Sequence, residues 1–154
     1  MYTGDKAPGF ILKNTDGKDT SLSDLIEEKT LVLFFFPLAF SDVCTKELCT
    51  VRDNMKMYNS LNANVTGISV DSFFVLNAFK KAENFNFTLL SDFNKKVSRQ
   101  YDSFYERYFD MDGVSKRSVF VIDKEGVIRF RQTLDDSGQL PDFPRVLKCL
   151  QNLR

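Results

Sequence analysis

Histidine and tryptophan are both absent from the 154 residues of this chain. Without histidine the chain cannot build the Ser–His or Cys–His pair that activates a nucleophile in many hydrolases. Its three cysteines also lack the Cys-x-x-Cys spacing of a zinc site, so we expect neither a metal ion nor another cofactor. Any nucleophile must therefore be activated by a dipole or by a lysine or arginine cation.

The chain also lacks an excess of either charge, because 21 basic side chains balance 21 acidic ones. No lysine/arginine block is available to bind phosphates, which argues against nucleic acid as a partner. No apolar run approaches the ~18 residues that span a bilayer, and no signal-peptide pattern is present. An odd number of cysteines argues against a secreted disulfide framework. We therefore expect a cytoplasmic protein that does not contact a membrane.

The most informative stretch begins with six consecutive apolar residues, 31–36, which are followed by Pro37. Such a run without alternation is typical of a strand covered on both faces. Pro37 ends the predicted strand because proline has no amide hydrogen. Ser41 and Asp42 can both cap a helix, so Cys44 is predicted to lie in the first turn of that helix.

This position predicts a chemical role for Cys44. Free amide hydrogens and the helix dipole favour an anion at a helix N-terminus, and a thiolate is such an anion. The alternative is an inert cysteine that packs as a small hydrophobic residue. Periodicity alone does not decide between the two.

The remaining pattern alternates strands with helices. We predict strands at residues 10–12, 65–70, 119–122 and 127–131, and a short apolar run lies at 88–90. A turn at 14–17 is predicted to close an N-terminal hairpin. Helices are predicted at 21–25, 42–57, 73–83, 94–101 and 141–153. Residues 103–113 show no regular hydrophobic periodicity and are interpreted as an irregular loop or a short helical turn. Phe74, Leu76, Phe79 and Ala82 are predicted to face the core. The order of elements predicts an α/β single domain over residues 1–154, with a mixed sheet covered by helices.

The residues before Cys44 resemble the peroxiredoxin active-site pattern Pro-x-x-x-Thr/Ser-x-x-Cys. Here the pattern reads Pro-Leu-Ala-Phe-Ser-Asp-Val-Cys, from Pro37 to Cys44. Its flanks are most similar to the subgroup formed by the bacterioferritin comigratory protein and the one-cysteine alkyl hydroperoxide reductase E type. Residues 67–72 and 117–123 are similar to two further family segments, in the expected order. The resemblance covers nearly the whole chain and implies a thioredoxin fold with an added N-terminal β-hairpin.

The resemblance also implies a thiol peroxidase, in which Cys44 attacks hydrogen peroxide or an organic hydroperoxide and becomes a sulfenic acid. By the family pattern, Ser41 supplies a hydroxyl to the peroxide, and Arg117 lies near the sulfur and orients the peroxide. Pro37 would shield the thiolate from water, and Glu47 would position an arginine. From the residues alone, Ser41 could serve only as an N-cap, and Arg117 could be a surface charge that the preceding lysine replaces.

Cys49 decides how the sulfenic acid is removed. On an intact helix, five residues separate two side chains by about 7.5 Å along the axis and about 140° around it, which is beyond disulfide reach. A Cys44–Cys49 disulfide therefore requires local unwinding, which the resemblance to atypical two-cysteine members of the subgroup implies. We predict that Cys49 resolves the sulfenic acid and that thioredoxin or a similar dithiol recycles the disulfide. Cys149 is expected to face the core or an interface.

Several alternatives stay open at this point. The chain could be a one-cysteine peroxidase recycled by an external thiol, or a thiol redox sensor without turnover. A thioredoxin-type disulfide reductase is disfavoured because Cys-x-x-Cys is missing and Pro37 occupies the corresponding loop. The typical two-cysteine branch has a Gly-Gly-Leu-Gly loop and a C-terminal Val-Cys-Pro motif, and this sequence contains neither. We therefore expect a monomer or a homodimer.

Overall fold

The computed structural model describes residues 1–153, which form a seven-stranded mixed sheet with helices on both faces and a separate two-stranded hairpin. The strands are β1 (Ile11–Asn14), β2 (Asp19–Ser21), β3 (Thr30–Phe35), β4 (Ala63–Ser69), β5 (Thr88–Ser91), β6 (Phe104–Tyr108), β7 (Met111–Ser115), β8 (Ser118–Ile122) and β9 (Ile128–Thr133). The helices are α1 (Leu22–Leu25), α2 (Asp42–Asp53), α3 (Met55–Ser60), α4 (Phe73–Glu83), α5 (Lys96–Gln100) and α6 (Phe143–Asn152).

The large sheet has the strand order β2-β1-β5-β4-β3-β8-β9. Strands β3, β4 and β5 are parallel, whereas β8 runs antiparallel to β3, and β1 runs antiparallel to β5. Strands β1 and β2 form the predicted N-terminal hairpin, and β8 and β9 form the predicted second hairpin. The mixed sheet predicted from the sequence is therefore confirmed.

Strand β3 separates two hydrophobic cores, because successive side chains of a strand point to opposite faces of a sheet. Val32 and Phe34 pack into the core that α2, α3, α4 and α6 cover. Leu31, Leu33 and Phe35 pack into the second core, which α1 and α5 help to cover. All five side chains are wholly buried, which explains why the run shows no alternation.

The sheet positions the loop that precedes Cys44 at the end of β3. The Phe36 amide donates to the Ile68 carbonyl of β4 at 2.9 Å, and Pro37 then stops the pairing because it has no amide hydrogen. A short loop over residues 37–41 leads directly into α2. Among residues 1–153, none of the helices combines the length and the apolar character that a bilayer crossing requires.

Two helix predictions need correction. The helix predicted over 42–57 is divided: α2 ends at Asp53, Asn54 leaves the helical conformation (φ −112°, ψ 13°), and α3 begins at the next residue. In α4, Leu76 and Phe79 are buried as predicted, but Phe74 is 73% exposed and Ala82 is also exposed. The core-facing stripe of α4 is therefore narrower than the sequence suggested.

The interpretation of residues 103–113 as a loop is wrong, because they contribute to the β6–β7 hairpin. Phe109 and Asp110 form its two-residue turn, with φ values of +49° and +62°. Both values lie in the left-handed region, for which Asn-Gly is the usual sequence signal. Since Phe-Asp is not that signal, the sequence did not reveal the hairpin.

Candidate active site

Cys44 is the third residue of α2 and is wholly buried, as predicted for the first turn. The Thr45 amide makes the first intrahelical bond, to the Ser41 carbonyl at 2.9 Å. The amides of residues 42–44 therefore have no acceptor within the helix, and their dipoles favour an anion beside them. The helix start thus provides one source of positive potential at the sulfur.

The second source is the guanidinium of Arg117, which is wholly buried between β7 and β8. Its Nη2 donates to Cys44 Sγ at 3.3 Å, its Nη1 to Glu47 Oε1 at 2.6 Å, and its Nε to the Ser137 carbonyl at 3.0 Å. Three acceptors in three directions fix the plane of the guanidinium. A cation is therefore held against the sulfur in a fixed orientation.

Lys116 does not replace Arg117 at the sulfur. Its Nζ pairs with Asp135 at 2.5 Å and lies 5.6 Å from the centre of the Tyr105 ring. Of the two adjacent cations, Arg117 is the one that the structure places beside Cys44.

Glu47 lies one helical turn after Cys44 and is wholly buried, so its Oε1 meets Arg117 as the sequence suggested. Its other oxygen, Oε2, has no hydrogen-bond partner among residues 1–153. Burial raises the pKa of Glu47 to about 7, although the charge and hydrogen bond of Arg117 act in the opposite direction. Burial also disfavours the Arg117 cation, but the charges of Glu47 and Cys44 raise its pKa overall. Arg117 thus stays charged while Glu47 titrates near neutrality.

Ser41 lies at the N-cap position of α2, but its side chain makes no capping hydrogen bond. Its Oγ instead donates to the Leu38 carbonyl at 2.8 Å, within the loop that precedes the helix. Pro37, at the start of this loop, is buried. The side-chain capping role considered for Ser41 is therefore not observed, and its oxygen keeps its acceptor lone pairs.

Asp71 holds the same loop from the neighbouring strand, a contact that the sequence analysis missed. Its Oδ2 accepts from the Ala39 amide at 2.7 Å and from Ser69 Oγ at 2.6 Å, while Ser91 Oγ donates to its carbonyl at 2.6 Å. Burial raises the pKa of Asp71, against the hydrogen bonds from Ser69 and Ala39. An acidic residue just after a buried strand next to β3 was the signal that could have identified it.

The backbone of this loop is strained at Phe40, which has a φ of +67°. The Phe40 ring is 53% exposed, and its centroid lies 4.9 Å from that of the buried Phe79. Ring packing and the Asp71 contact to Ala39 together support a conformation that a non-glycine residue disfavours. The loop before Cys44 is thus held from two sides.

Cys49 lies farther along α2 and is partly buried. Its Sγ donates to Glu83 Oε2 at 3.6 Å, and the Arg52 Nη1 donates to the Glu83 carbonyl at 2.6 Å. Burial raises the pKa of the Cys49 thiol, with Arg52 opposing and Glu83 reinforcing the shift. All three cysteines are free thiols, and unbroken α2 geometry puts the Cα atoms of Cys44 and Cys49 about 9 Å apart.

Cys149 packs partly buried against the core beneath α6, as predicted, with its Sγ 3.8 Å from the Arg129 carbonyl. Within residues 1–153 no cluster of three or more histidine, cysteine, aspartate or glutamate side chains could hold a metal ion. The chemistry available at Cys44 is therefore that of a sulfur nucleophile beside a guanidinium and a helix N-terminus.

Comparisons with known proteins agree with this geometry. The profile of the AhpC/TSA family matches residues 3–131. Peroxiredoxin Bcp of Escherichia coli (strain K12) is 38% identical over 131 residues, which cover 83% of each chain. The chloroplastic peroxiredoxin Q of Triticum aestivum is 37% identical over 152 residues, or 97% of this chain and 67% of that relative.

Among solved structures, the crystal structure of peroxidoxin BcpB from Mycobacterium tuberculosis superposes with a TM-score of 0.90 at 30% sequence identity. The match covers 100% of this chain and 99% of that one. The predicted thioredoxin fold is confirmed by this likeness, together with the mixed sheet and its flanking helices.

Proposed function

The chain belongs to the AhpC/TSA family, as a peroxiredoxin of the Bcp type, and is a thiol-dependent peroxidase; we propose that Cys44 is the cysteine that reacts with the peroxide. Its substrate is a hydroperoxide and its reductant is a thiol. One observation carries the assignment of Cys44: Arg117 Nη2 donates to its sulfur at 3.3 Å in the first turn of a helix. Neither Cys49 nor Cys149 has an arginine hydrogen bond of this kind to its sulfur among the described contacts.

In the proposed reaction, the Cys44 thiolate attacks one peroxide oxygen in line with the O–O bond. An S–O bond forms, the O–O bond breaks, and its electron pair leaves with the second oxygen. That oxygen takes a proton and departs as water or an alcohol, while the sulfur is oxidised to a sulfenic acid. Arg117 stabilises the attacking anion and the charge that develops on the leaving oxygen.

The loop before α2 completes the proposed site. Ser41 offers a hydroxyl that can both donate to and accept from the peroxide, once it exchanges its bond to the Leu38 carbonyl. Pro37 is buried at the start of this loop, which supports a role in the exclusion of water from the sulfur. Glu47 holds Arg117 in place through the 2.6 Å ion pair.

A coupled assay with thioredoxin, its reductase, NADPH and hydrogen peroxide tests the assignment. We expect repeated turnover by the wild-type protein, none by Cys44→Ser, and near wild-type turnover by Cys149→Ser. Oxidation of one equivalent followed by a stall would show a sensor instead. Retained peroxide consumption in Cys44→Ser would overturn the choice of the reacting sulfur.

The resolving step is proposed for Cys49, which shares α2 with Cys44. Attack by Cys49 on the sulfenic acid would give a Cys44–Cys49 disulfide, after the first turn of α2 has unwound. Mass spectrometry after one equivalent of peroxide tests this step. The expected product has both thiols joined, whereas a free Cys49 beside an oxidised Cys44 would identify a one-cysteine enzyme that uses an external thiol.

We further propose that a thioredoxin-like dithiol reduces this disulfide, that the protein acts in the cytoplasm, and that it functions as a single-domain monomer or homodimer. The balanced net charge argues against a large anionic partner such as nucleic acid. Light scattering coupled to size exclusion tests the assembly, since a decamer would elute at roughly ten times the 17.8 kDa chain mass.

A further inference from the structure

The Cys49 thiol has a specific acceptor that the reaction with peroxide does not use. Its Sγ lies 3.6 Å from Oε2 of Glu83, the last residue of α4. Glu83 is partly exposed, and its carboxylate also lies 3.9 Å from Arg52 Nη1. A thiol donor thus faces a carboxylate acceptor at the site where the proposed resolving step must remove a proton.

We propose that Glu83 is a catalytic residue of the resolving step, in which its carboxylate takes the Cys49 thiol proton as the Cys49 sulfur attacks the Cys44 sulfenic acid. This proposal rests on the proposed resolving role of Cys49. The S–S bond forms with the electron pair of the Cys49 sulfur, and the S–O bond of Cys44 breaks. The hydroxide that leaves takes a proton and departs as water, so that Cys49 is oxidised and the Cys44 sulfur is reduced to the disulfide level.

The contacts of α2 indicate which end of the helix moves. Its second half is tied to the end of α4, because Arg52 Nη1 donates to the Glu83 carbonyl at 2.6 Å and the Asn86 side chain donates to the Arg52 carbonyl at 3.4 Å. The first turn contacts Arg117 through the Cys44 sulfur, and oxidation changes that sulfur. Cys44 therefore travels to Cys49, and Cys49 keeps its carboxylate neighbour during the attack.

The need for a base follows from the state of the Cys49 thiol. Only a thiolate attacks a sulfenic sulfur efficiently, and burial together with Glu83 raises the pKa of this thiol. At neutral pH the thiol is therefore protonated, and its proton must be removed as the new bond forms. A carboxylate at hydrogen-bond distance provides that acceptor without a histidine, which the chain lacks.

Glu83→Gln tests the proposal, because it keeps the length of the side chain and the backbone carbonyl that binds Arg52. Glu28→Gln, at an exposed position, is the matched control. Rapid mixing with hydrogen peroxide, followed by trapping of the sulfenic acid with a dimedone reagent, separates the two steps. Mass spectrometry then follows formation of the Cys44–Cys49 disulfide over time.

We expect Glu83→Gln to react with peroxide at the wild-type rate but to form the disulfide about 100-fold more slowly. Its resolving rate should rise roughly tenfold per pH unit from about pH 6 to 8, because it then depends on free thiolate, whereas the wild-type rate should vary less. Glu83→Asp, which restores a carboxylate, should recover part of the rate.

Two results would overturn the proposal, and they are distinguishable. A wild-type resolving rate and pH profile in Glu83→Gln would remove Glu83 from the step while Cys49 kept its role. Absence of a Cys44–Cys49 disulfide in the wild-type protein would reject both Cys49 and Glu83, and continued peroxide turnover would still leave the peroxidase assignment intact.

Discussion

A single guanidinium serves two acidic partners in this site. Arg117 donates to the Cys44 sulfur through one terminal nitrogen and to the Glu47 carboxylate through the other, while its Nε is fixed by the Ser137 carbonyl. Each of the three guanidinium nitrogens has its own acceptor, so the planar fork of arginine is used in three directions. The position of the cation relative to the sulfur thus depends on arginine geometry as well as on charge.

Arg117→Lys should therefore slow the reaction with peroxide even though it keeps the charge. A single ammonium cannot reach three acceptors in three directions, so stabilisation of the thiolate and of the leaving oxygen is lost. We expect the second-order rate constant for oxidation of Cys44 to fall by about 10²-fold, the usual cost of losing one such donor. Stopped-flow measurement with hydrogen peroxide gives this constant.

Arg107→Lys is the control for the Arg117 substitution, because the ion pairs of Arg107 with Asp110 and Asp112 on the β6–β7 hairpin are exposed. Exposed pairs of this kind contribute ~0–1 kcal/mol, so this variant should react at the wild-type rate. Equal rates for Arg117→Lys and wild type would show that charge alone, without the fork, is sufficient.

The sequence predicted some of these site residues and missed others for a physical reason. Cys44 follows from its predicted helix start, but Arg117 lies 73 residues away and was identified only through a family resemblance. The acceptor for its Nε is a backbone carbonyl, and the donor to Asp71 is the backbone amide of Ala39. Every residue type carries these groups, so a sequence gives no sign that they are used.

The loop between β3 and α2 is held by a contact that crosses from one strand to the next. β3 and β4 are parallel and adjacent, so the segments that follow them emerge at the same edge of the sheet. Asp71, just beyond β4, can therefore accept from the Ala39 amide at 2.7 Å. This contact fixes the loop while Phe40 keeps its positive φ.

Asp71→Asn should loosen this loop without unfolding the protein. The amide oxygen of asparagine can take the position of Oδ2 and accept from both Ala39 and Ser69, but it is uncharged, so both hydrogen bonds become weaker. We expect destabilisation by about 1–3 kcal/mol and a peroxide rate constant that falls by about tenfold. Hydrogen exchange of the Ala39 amide and stopped-flow oxidation are the two measurements.

Asp19→Asn provides the comparison for Asp71→Asn, since Asp19 makes one exposed ion pair with Lys13 on the N-terminal hairpin. It should leave both the rate and the Ala39 exchange unchanged. If Asp71→Asn exchanged its Ala39 amide no faster than wild type, the loop would be fixed by the packing of Phe40 on Phe79 instead.

The elements that the sequence predicted correctly are those with a clear hydrophobic pattern and with turn residues or a proline at their ends. β3 and the β8–β9 hairpin were found because apolar runs and turn residues agree there. The β6–β7 hairpin was missed because its turn uses Phe109 and Asp110 at positive φ. Phe74 was misplaced because hydrophobicity alone does not show which side of a helix the sheet covers.

The buried ion pair of Glu47 and Arg117 links the proposed site to the stability of the whole fold. Both Glu47 and Arg117 are wholly buried, and Glu47 Oε2 finds no partner among residues 1–153. A buried pair of this kind adds little net stability, because desolvation of both charges offsets their attraction. Burial of the Glu47 carboxylate therefore changes the free energy of unfolding by an amount that depends on pH.

This effect should be visible as a pH dependence of the free energy of unfolding. The folded pKa of Glu47, about 7, exceeds its reference value of 4.5, so between these values the folded state holds a proton that the unfolded state has lost. Stability from this group is thus fully present below about pH 4.5 and is lost as pH rises through about 7. A shift of this size corresponds to about 3 kcal/mol.

Glu47→Gln, which resembles the protonated side chain and does not titrate, should remove this dependence. Urea unfolding from about pH 5 to 8, with both proteins in a Cys44→Ser background to exclude thiol titration and oxidation, gives the free energies of unfolding. The wild-type value should fall relative to the glutamine variant by about 2.5 kcal/mol across this range. Glu28→Gln, at an exposed position, should show no such trend. A difference between Glu47 and Gln that stays constant with pH would mean that Glu47 remains ionised throughout, held by Arg117 against the effect of burial.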